Sequence, residues 1–327
     1  MTAPADSSAK PDLAAAALAR YPADPDARLD FVRYGENTTY RVRQASGDWA
    51  LRLERPGYQS VAAVRSEIVW MRALHEDGIS TPEPVCGRDG DVVQVVEHEG
   101  GERIAVAFRW VGGRPLTGLQ DSDPWRRVGA IMARIHEHGR RWVPPAGFVR
   151  PAWDREAVVG DRARWGDPFP AGVWAPEDLR ALQAAREAVR ERLDRFGCSG
   201  RRFGLVHADL GFENVLVQDD GTAIVIDFDD SGPSWFLYDI ATVLYPLEGL
   251  SYFSPARDAL VEGYRAIRSL PDEDLAELPT FLMARRFATL GWVFTRADTE
   301  HARRQRARRL ESSPDAARAF LARYASR

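Results

Sequence analysis

Cysteine, lysine and asparagine are all scarce in this 327-residue chain, and each scarcity narrows the reading. Two cysteines, Cys86 and Cys198, are too few for a disulfide framework or a cysteine-rich zinc site, and they suit a reducing compartment. Lysine occurs once, as Lys10, among 44 basic residues, so tasks that lysine commonly performs fall to arginine. Asparagine occurs only as Asn37 and Asn214, which makes either one conspicuous inside a motif. With 48 acidic residues the formal charge is −4, so no general basic field points to nucleic acid or to an anionic membrane. No apolar run approaches the roughly 18 residues of a membrane span, and the N-terminal stretch lacks the apolar centre of a signal peptide. These absences predict a globular, cytoplasmic protein, and 45% hydrophobic residues with 10 Trp and 14 Phe supply material for a sizeable core.

Residues 1–27, rich in Ala, Pro, Asp and Ser, read as a disordered tail with room for one short helix. From 28 to 108 the pattern predicts a small sheet carrying one helix: strands near 31–32, 39–42, 50–53, 92–96 and 104–108, and a helix over 59–75. Residues 109–327 are dominated by helical signals, with helices expected after Asp123-Pro124 and over 176–196, 254–268, 273–296 and 314–325. A strand-rich stretch at 203–227 interrupts them, and no internal repeat is present.

The strongest motif is His207-Ala208-Asp209-Leu210-Gly211-Phe212-Glu213-Asn214-Val215-Leu216-Val217, followed by Ala223-Ile224-Val225-Ile226-Asp227-Phe228. Two apolar strands flank the turn Gln218-Asp219-Asp220-Gly221, which makes a β-hairpin and predicts that Asn214 lies beside Asp227. An amide oxygen and a carboxylate there suit a hard cation such as Mg²⁺, which takes few protein oxygens and completes its shell with phosphate oxygens. Asp209, in the loop just before, is placed to accept the proton of an attacking hydroxyl.

The spacing His207-x-Asp209-x4-Asn214 with a later Asp227 resembles the aminoglycoside phosphotransferase and type II homoserine kinase-like family, which has the protein-kinase fold. Asp229 and Asp230 bring the pattern nearest to the stress response kinase A subgroup. The resemblance runs over roughly residues 29–300 and implies a two-lobed α+β fold, with a sheet-plus-helix N-lobe, a mainly helical C-lobe and ATP lying between them. It assigns Asp209 as the catalytic base and Asn214 and Asp227 as the Mg²⁺ ligands. Gly35, Asn37 and Thr38, in the small-polar turn before a strand, become candidates to cover phosphates with backbone N–H groups. Phe108 and Trp110 fall in the hinge, where backbone groups meet the adenine edge.

Glu67 borders the buried face marked by Val64, Ile68 and Met71, and a carboxylate there needs a cationic partner. In the family's template that partner is a strand lysine holding the α- and β-phosphates; here the strand residue is Arg52. Asp239 matches an aspartate that braces the catalytic loop, and His136 reads as structural. The segment 144–177, with Phe148, Trp153, Trp165, Phe169, Trp174, Asp154, Asp161 and Asp167, reads either as a wall for a cationic acceptor or as aromatics packing a loop onto helices.

The expected activity is ATP- and Mg²⁺-dependent transfer to a hydroxyl of a small molecule: an amino-alcohol, hydroxy-amino acid, sugar or antibiotic. A Ser/Thr protein kinase and a nucleotide-binding pseudokinase are the alternatives. Only eleven residues separate Asp227 from Asp239, which leaves little room for a peptide-binding activation loop and favours the small acceptor. Oligomeric state is not legible in the sequence.

Overall fold

In a computed structural model, residues 10–118 and 120–325 are described, and they form two compact units. The first takes the chain up to Arg114 together with Pro144–Val149 and Leu216–Asp229. The second takes Pro115–Val143, Arg150–Val215 and the chain from Asp230 onward.

The first unit is an antiparallel sheet built from β1 (Arg28–Tyr34), β2 (Thr38–Arg43), β3 (Trp49–Leu53), β4 (Pro84–Val85), β5 (Val93–His98) and β6 (Gly101–Arg109). Their order is β1-β2-β3-β6-β4, with β5 also paired to β6. The β5–β6 hairpin turns through Glu99 and Gly100, both with positive φ (51° and 77°), the backbone twist that tight hairpins favour. Alternation along β3 sends Leu51 and Leu53 to one face of the sheet and Arg52 to the other.

The Leu51 face is where structure and sequence reading part. Helix α1 (Pro11–Leu18) packs Leu13, Ala14 and Ala17 into a core with Tyr40, Val42, Trp49, Leu51, Leu53, Ala105 and Ala107. Tyr21 completes it, fully buried, its hydroxyl 3.1 Å from the carbonyl oxygens of both Val92 and Ala105. The expected disordered tail over 1–27 is therefore corrected for residues 10–27, while 1–9 lie outside the described residues. The alanines that made this stretch look featureless are the small residues that let a helix lie close against a sheet of large side chains. The other face carries α2 (Val61–Glu76), started by Ser60, whose side chain accepts the Ala63 N–H. It buries Val64, Ile68 and Met71 as expected, with Trp70 and Leu74.

The second unit is mainly helical: α3 (Ser122–Arg141), α4 (Arg155–Val159), α5 (Pro176–Phe196), α6 (Phe236–Leu244), α7 (Phe253–Arg265), α8 (Asp272–Leu275), α9 (Leu278–Thr295) and α10 (Glu300–Tyr324). The single helix expected over 273–296 is two, because Pro279 belongs at the first turn of a new helix. The helix expected from 314 instead begins at Glu300 and runs through a buried Pro314. The second unit's own strands are β8 (Phe203–Val206) and β11 (Gly232–Trp235), which pair antiparallel; β10 (Ala223–Val225) belongs to the first unit, and β7 (Arg114–Pro115) and β9 (Val215–Val217) fall where the chain passes from one unit to the other. Gly139 lets α3 lie against β8: a Cβ there would come within 2.3 Å of the Leu205 carbonyl oxygen. That contact sets the strand from which His207 and Asp209 follow. Among the described residues no helix is long and apolar enough to cross a membrane.

Candidate active site

In the first unit Arg52 is the centre of a buried ion cluster. Its Nη1 and Nη2 donate to the two oxygens of Glu67, each at 2.8 Å, and its Nε donates to Glu54 Oε1 at 2.8 Å. Glu67 is fully buried and Glu54 nearly so. Burial opposes the guanidinium's charge, but the carboxylates of Glu54 and Glu67 outweigh it and hold Arg52 protonated well above its ordinary range. Three of five N–H groups are thus committed, and the cation lies over the Phe108 ring, 5.4 Å from its centroid. Arg52 and Glu67 meet as the family template implies. Glu54 was missed, although its spacing of two from Arg52 on one strand puts both on the same face.

The turn between β1 and β2 is pinned rather than loose. Gly35 N–H donates to the Asn37 carbonyl at 2.9 Å, and Arg55 donates to the carbonyls of Gly35 (3.0 Å) and Glu36 (3.2 Å). Asn37 is buried, with its Oδ1 accepting the Arg55 N–H at 3.1 Å and its Nδ2 donating to Asp229 Oδ2 at 2.7 Å. Thr38 sits buried in β2 opposite Leu53, so the exposed turn is shorter than the sequence suggested. Trp110 donates its N–H to the Asp48 carbonyl at 2.9 Å and lies under Arg41, so the donor it would offer an adenine is already used. Phe108 is held in the sheet between Ala50 and Pro84.

Asp227 follows β10 in left-handed backbone, φ 68°, an uncommon conformation for a residue other than glycine and one that recurs at functional positions. Its neighbours hold it there. Phe228 packs edge-on against Trp70 at 5.8 Å, and Asp229 is fixed through its carboxylate by Asn37 and through its carbonyl by Gln59 Nε2 at 2.7 Å. Arg33 donates to the Asp227 carboxylate.

In the second unit the loop His207-Ala208-Asp209 is braced from inside. Asp239 accepts the Ala208 N–H on Oδ1 at 2.8 Å and the His207 N–H on Oδ2 at 3.3 Å. The same Oδ2 takes His136 Nε2 at 2.9 Å, while His136 Nδ1 meets the Tyr264 hydroxyl at 2.9 Å and Arg268 donates to that hydroxyl at 2.9 Å. Burial, outweighing the attraction of Asp239, lowers the His136 pKa, and the chain Arg268 to Tyr264 to His136 to Asp239 suits the neutral imidazole. Ala208 is the second left-handed position, φ 68°. After Asp209 the chain turns through a single 3₁₀ turn, Phe212–Asn214. Asn214 is buried, and its Nδ2 donates to the Asp209 carbonyl at 2.8 Å, so the amide is oriented and its Oδ1 meets no donor among the described residues. An oriented amide oxygen of this kind is the donor a hard cation takes.

The aromatics of 144–177 follow the packing alternative. Trp153 is buried, stacks on Tyr238 and donates to the Asp230 carbonyl at 2.6 Å; Trp165 meets it edge-on at 4.7 Å. Their cations are the protein's own: Arg164 over Trp153, Arg186 over Phe169 and Arg285 over Trp165. Asp154 caps α4 and Asp161 pairs with Arg190. Arg285, from α9, also donates to Asp209 Oδ1 at 3.0 Å. Sequence reading missed it; the available signal was a charged pair, Arg285-Arg286, inside the otherwise apolar run Phe281-Leu282-Met283-Ala284 and Phe287-Ala288.

Residues 34–279 match the model of the phosphotransferase enzyme family. The amicoumacin kinase of Bacillus subtilis (strain 168) is 26% identical over 293 residues, covering 85% of this chain and 82% of that one. The homoserine kinase of Gluconobacter oxydans (strain 621H) is 28% identical over 280 residues, covering 80% of this chain and 82% of that one. The solved structure of a microcompartment-associated aminopropanol kinase superimposes with a TM-score of 0.88 at 33% identity, over 96% of this chain and 98% of that one.

Proposed function

Because the chain belongs to the phosphotransferase enzyme family and is a small-molecule kinase, we propose that it moves the γ-phosphoryl group of ATP onto the hydroxyl of a small amine-bearing alcohol. The observation that carries this is the bracing of the catalytic loop: Asp239 takes two successive N–H groups of the loop, Arg285 takes a carboxylate oxygen of Asp209, and Asn214 takes its carbonyl. A loop built this way supports a carboxylate that must be held still against a reacting hydroxyl.

In this reading the acceptor oxygen forms the new bond to the γ-phosphorus as the bond from that phosphorus to the β–γ bridging oxygen breaks. ADP leaves, and the hydroxyl proton passes to Asp209. Arg52, braced by Glu67 and Glu54, directs its remaining N–H groups at phosphate oxygens. Asn214 Oδ1 and the Asp227 carboxylate are the groups that would hold Mg²⁺, whose chemistry is to neutralise charge on the transferring phosphate. A divalent metal with a nucleotide is also what a solved amicoumacin kinase complex contains, with AMP-PNP and Ca²⁺. The relatives, an aminopropanol kinase, a homoserine kinase and an amicoumacin kinase, support the amine-bearing class.

The test is acceptor-stimulated ADP release from Mg·ATP over a panel of amino-alcohols, hydroxy-amino acids, sugars and antibiotics. One amine-bearing alcohol should stimulate release strongly in the wild type and not in Asp209→Asn, which should still bind Mg·ATP. Equal turnover by Asp209→Asn would remove Asp209 as the base.

A further inference from the structure

We propose that Arg285 is a positioning residue for the transfer: its guanidinium sets the orientation of the Asp209 carboxylate and clamps the strained Ala208 beside it. The proposal rests on the reading of Asp209 as the acceptor's base and adds a residue to it.

Arg285 lies on α9 among buried neighbours, Leu282, Met283, Ala284, Ala288 and Thr289. Its side chain is 9% exposed, whereas that of Asp209 is 42% exposed. The guanidinium therefore points outward from the core at a solvent-facing carboxylate. Nη2 donates to Asp209 Oδ1 at 3.0 Å; Nη1 reaches the Ala208 carbonyl at 3.4 Å and the Tyr238 hydroxyl at 3.5 Å. The Trp165 ring lies 4.8 Å from the cation and the Tyr238 ring 5.9 Å, so aromatic rings as well as hydrogen bonds surround it. Burial opposes its charge, and the fields of Tyr238, Asp209 and Asp230 keep it protonated.

A pair of this kind is a poor device for stability alone. Burying a guanidinium is costly, and a half-exposed carboxylate returns little through solvent. Methionine or leucine would fill the same place in α9 without that cost. The arrangement is intelligible for what it does to geometry. A carboxylate is planar and rigid, so fixing Oδ1 sets the orientation of the whole group toward an acceptor. The Ala208 carbonyl is held by Arg285 while Asp239 holds the Ala208 N–H, so a residue in left-handed backbone is gripped at both ends of its own peptide units.

The experiment compares wild type with Arg285→Met, Arg285→Lys and Arg285→Ala. Folding is checked by thermal melting and nucleotide binding by Mg·ATP titration. Turnover is read as ADP release with aminopropanol, L-homoserine or a deproteinised metabolite extract, whichever drives the wild type fastest, and as slow hydrolysis by water if none does. Arg285→Met should keep nucleotide affinity and lose kcat by about 10²-fold, the order set by misplacing a reacting group. Arg285→Lys, which keeps a charge but reaches one oxygen, should fall in between, and added methylguanidine should restore part of the turnover of Arg285→Ala. Folded Met and Lys variants with wild-type kcat, or a loss confined to acceptor KM, would overturn the proposal alone. A wild-type protein with no turnover in any arm would overturn the reading of Asp209, and this proposal with it.

Discussion

The resemblance puts Arg52 where the family template has a lysine, and its surroundings explain why lysine would not serve. A guanidinium satisfies Glu67 with two parallel bonds and Glu54 with a third, all near 2.8 Å. An ammonium has three donors but no fork, so it cannot match that planar geometry. Arg52→Ala leaves two buried carboxylates facing each other without a cation and should cost about 3–5 kcal/mol in urea denaturation. It should also raise the KM for ATP. Unchanged denaturation midpoint and unchanged KM would make Arg52 an ordinary strand residue. His136 gives a second prediction. Its folded pKa is lowered, so the folded chain refuses a proton that the unfolded chain accepts below about 6.5. The stability it contributes is complete above that pH and declines as the pH falls from there toward the depressed value. Melting temperatures taken from pH 8 to pH 5 should drop more for wild type than for His136→Gln; parallel curves would contradict the assignment. At this scale, Asp209, Asn214 and Asp227 stand out as candidates because they lie in one motif, and the Arg52–Glu67 pair was legible because Glu67 edges a hydrophobic stripe. Arg285 was not, because its partner lies 76 residues away and nothing in a sequence tells which buried arginine faces a loop.

Among the elements, α1 is the instructive one. Its sequence is low in hydrophobic bulk, and a mobile tail was the natural expectation. What decides the matter is the sheet: one face of β2, β3 and β6 exposes Tyr40, Val42, Trp49, Leu51, Leu53, Ala105 and Ala107, and apolar area on that scale needs a cover. The small side chains of α1 let Leu13 and Tyr21 reach it. Local signals were present, with Pro11 at the first turn and Asp12 beside it, but they speak only to where a helix starts. Tyr21→Ala should therefore destabilise the protein by about 3–5 kcal/mol, the range for emptying a buried aromatic site. Chemical denaturation checks it; a change below about 0.5 kcal/mol, as for a surface position, would mean the segment does not cover the core. The strands β1, β2, β3, β5 and β6 were read correctly in kind and nearly in place, since alternation and turn residues are local, while the two-residue β4 was not expected. Helix ends in the second unit were less legible: Pro279 begins a helix and Pro314 sits inside one, and the difference is made by packing rather than by proline itself.

For the whole molecule, the question is which kind of acceptor the kinase takes. The connection from Asp227 to Asp239 has eleven residues, and the structure fills them with buried groups that have other work. Phe228 lies under Trp70 in the first unit; in the second, Ser231 accepts from Arg150 on its carbonyl and Pro233 accepts the Trp153 N–H. Little of this segment is available as a platform for an extended peptide, which agrees with relatives that are kinases of aminopropanol, homoserine and amicoumacin. The most direct measurement is to incubate the enzyme with Mg·ATP labelled on the γ-phosphate, giving it in parallel a deproteinised metabolite extract supplemented with aminopropanol and L-homoserine, and a protein lysate. The account predicts label on a small hydroxylated amine, absent with Asp209→Asn, and no Asp209-dependent label on proteins; label on proteins alone, or small-molecule label that persists in Asp209→Asn, would contradict it.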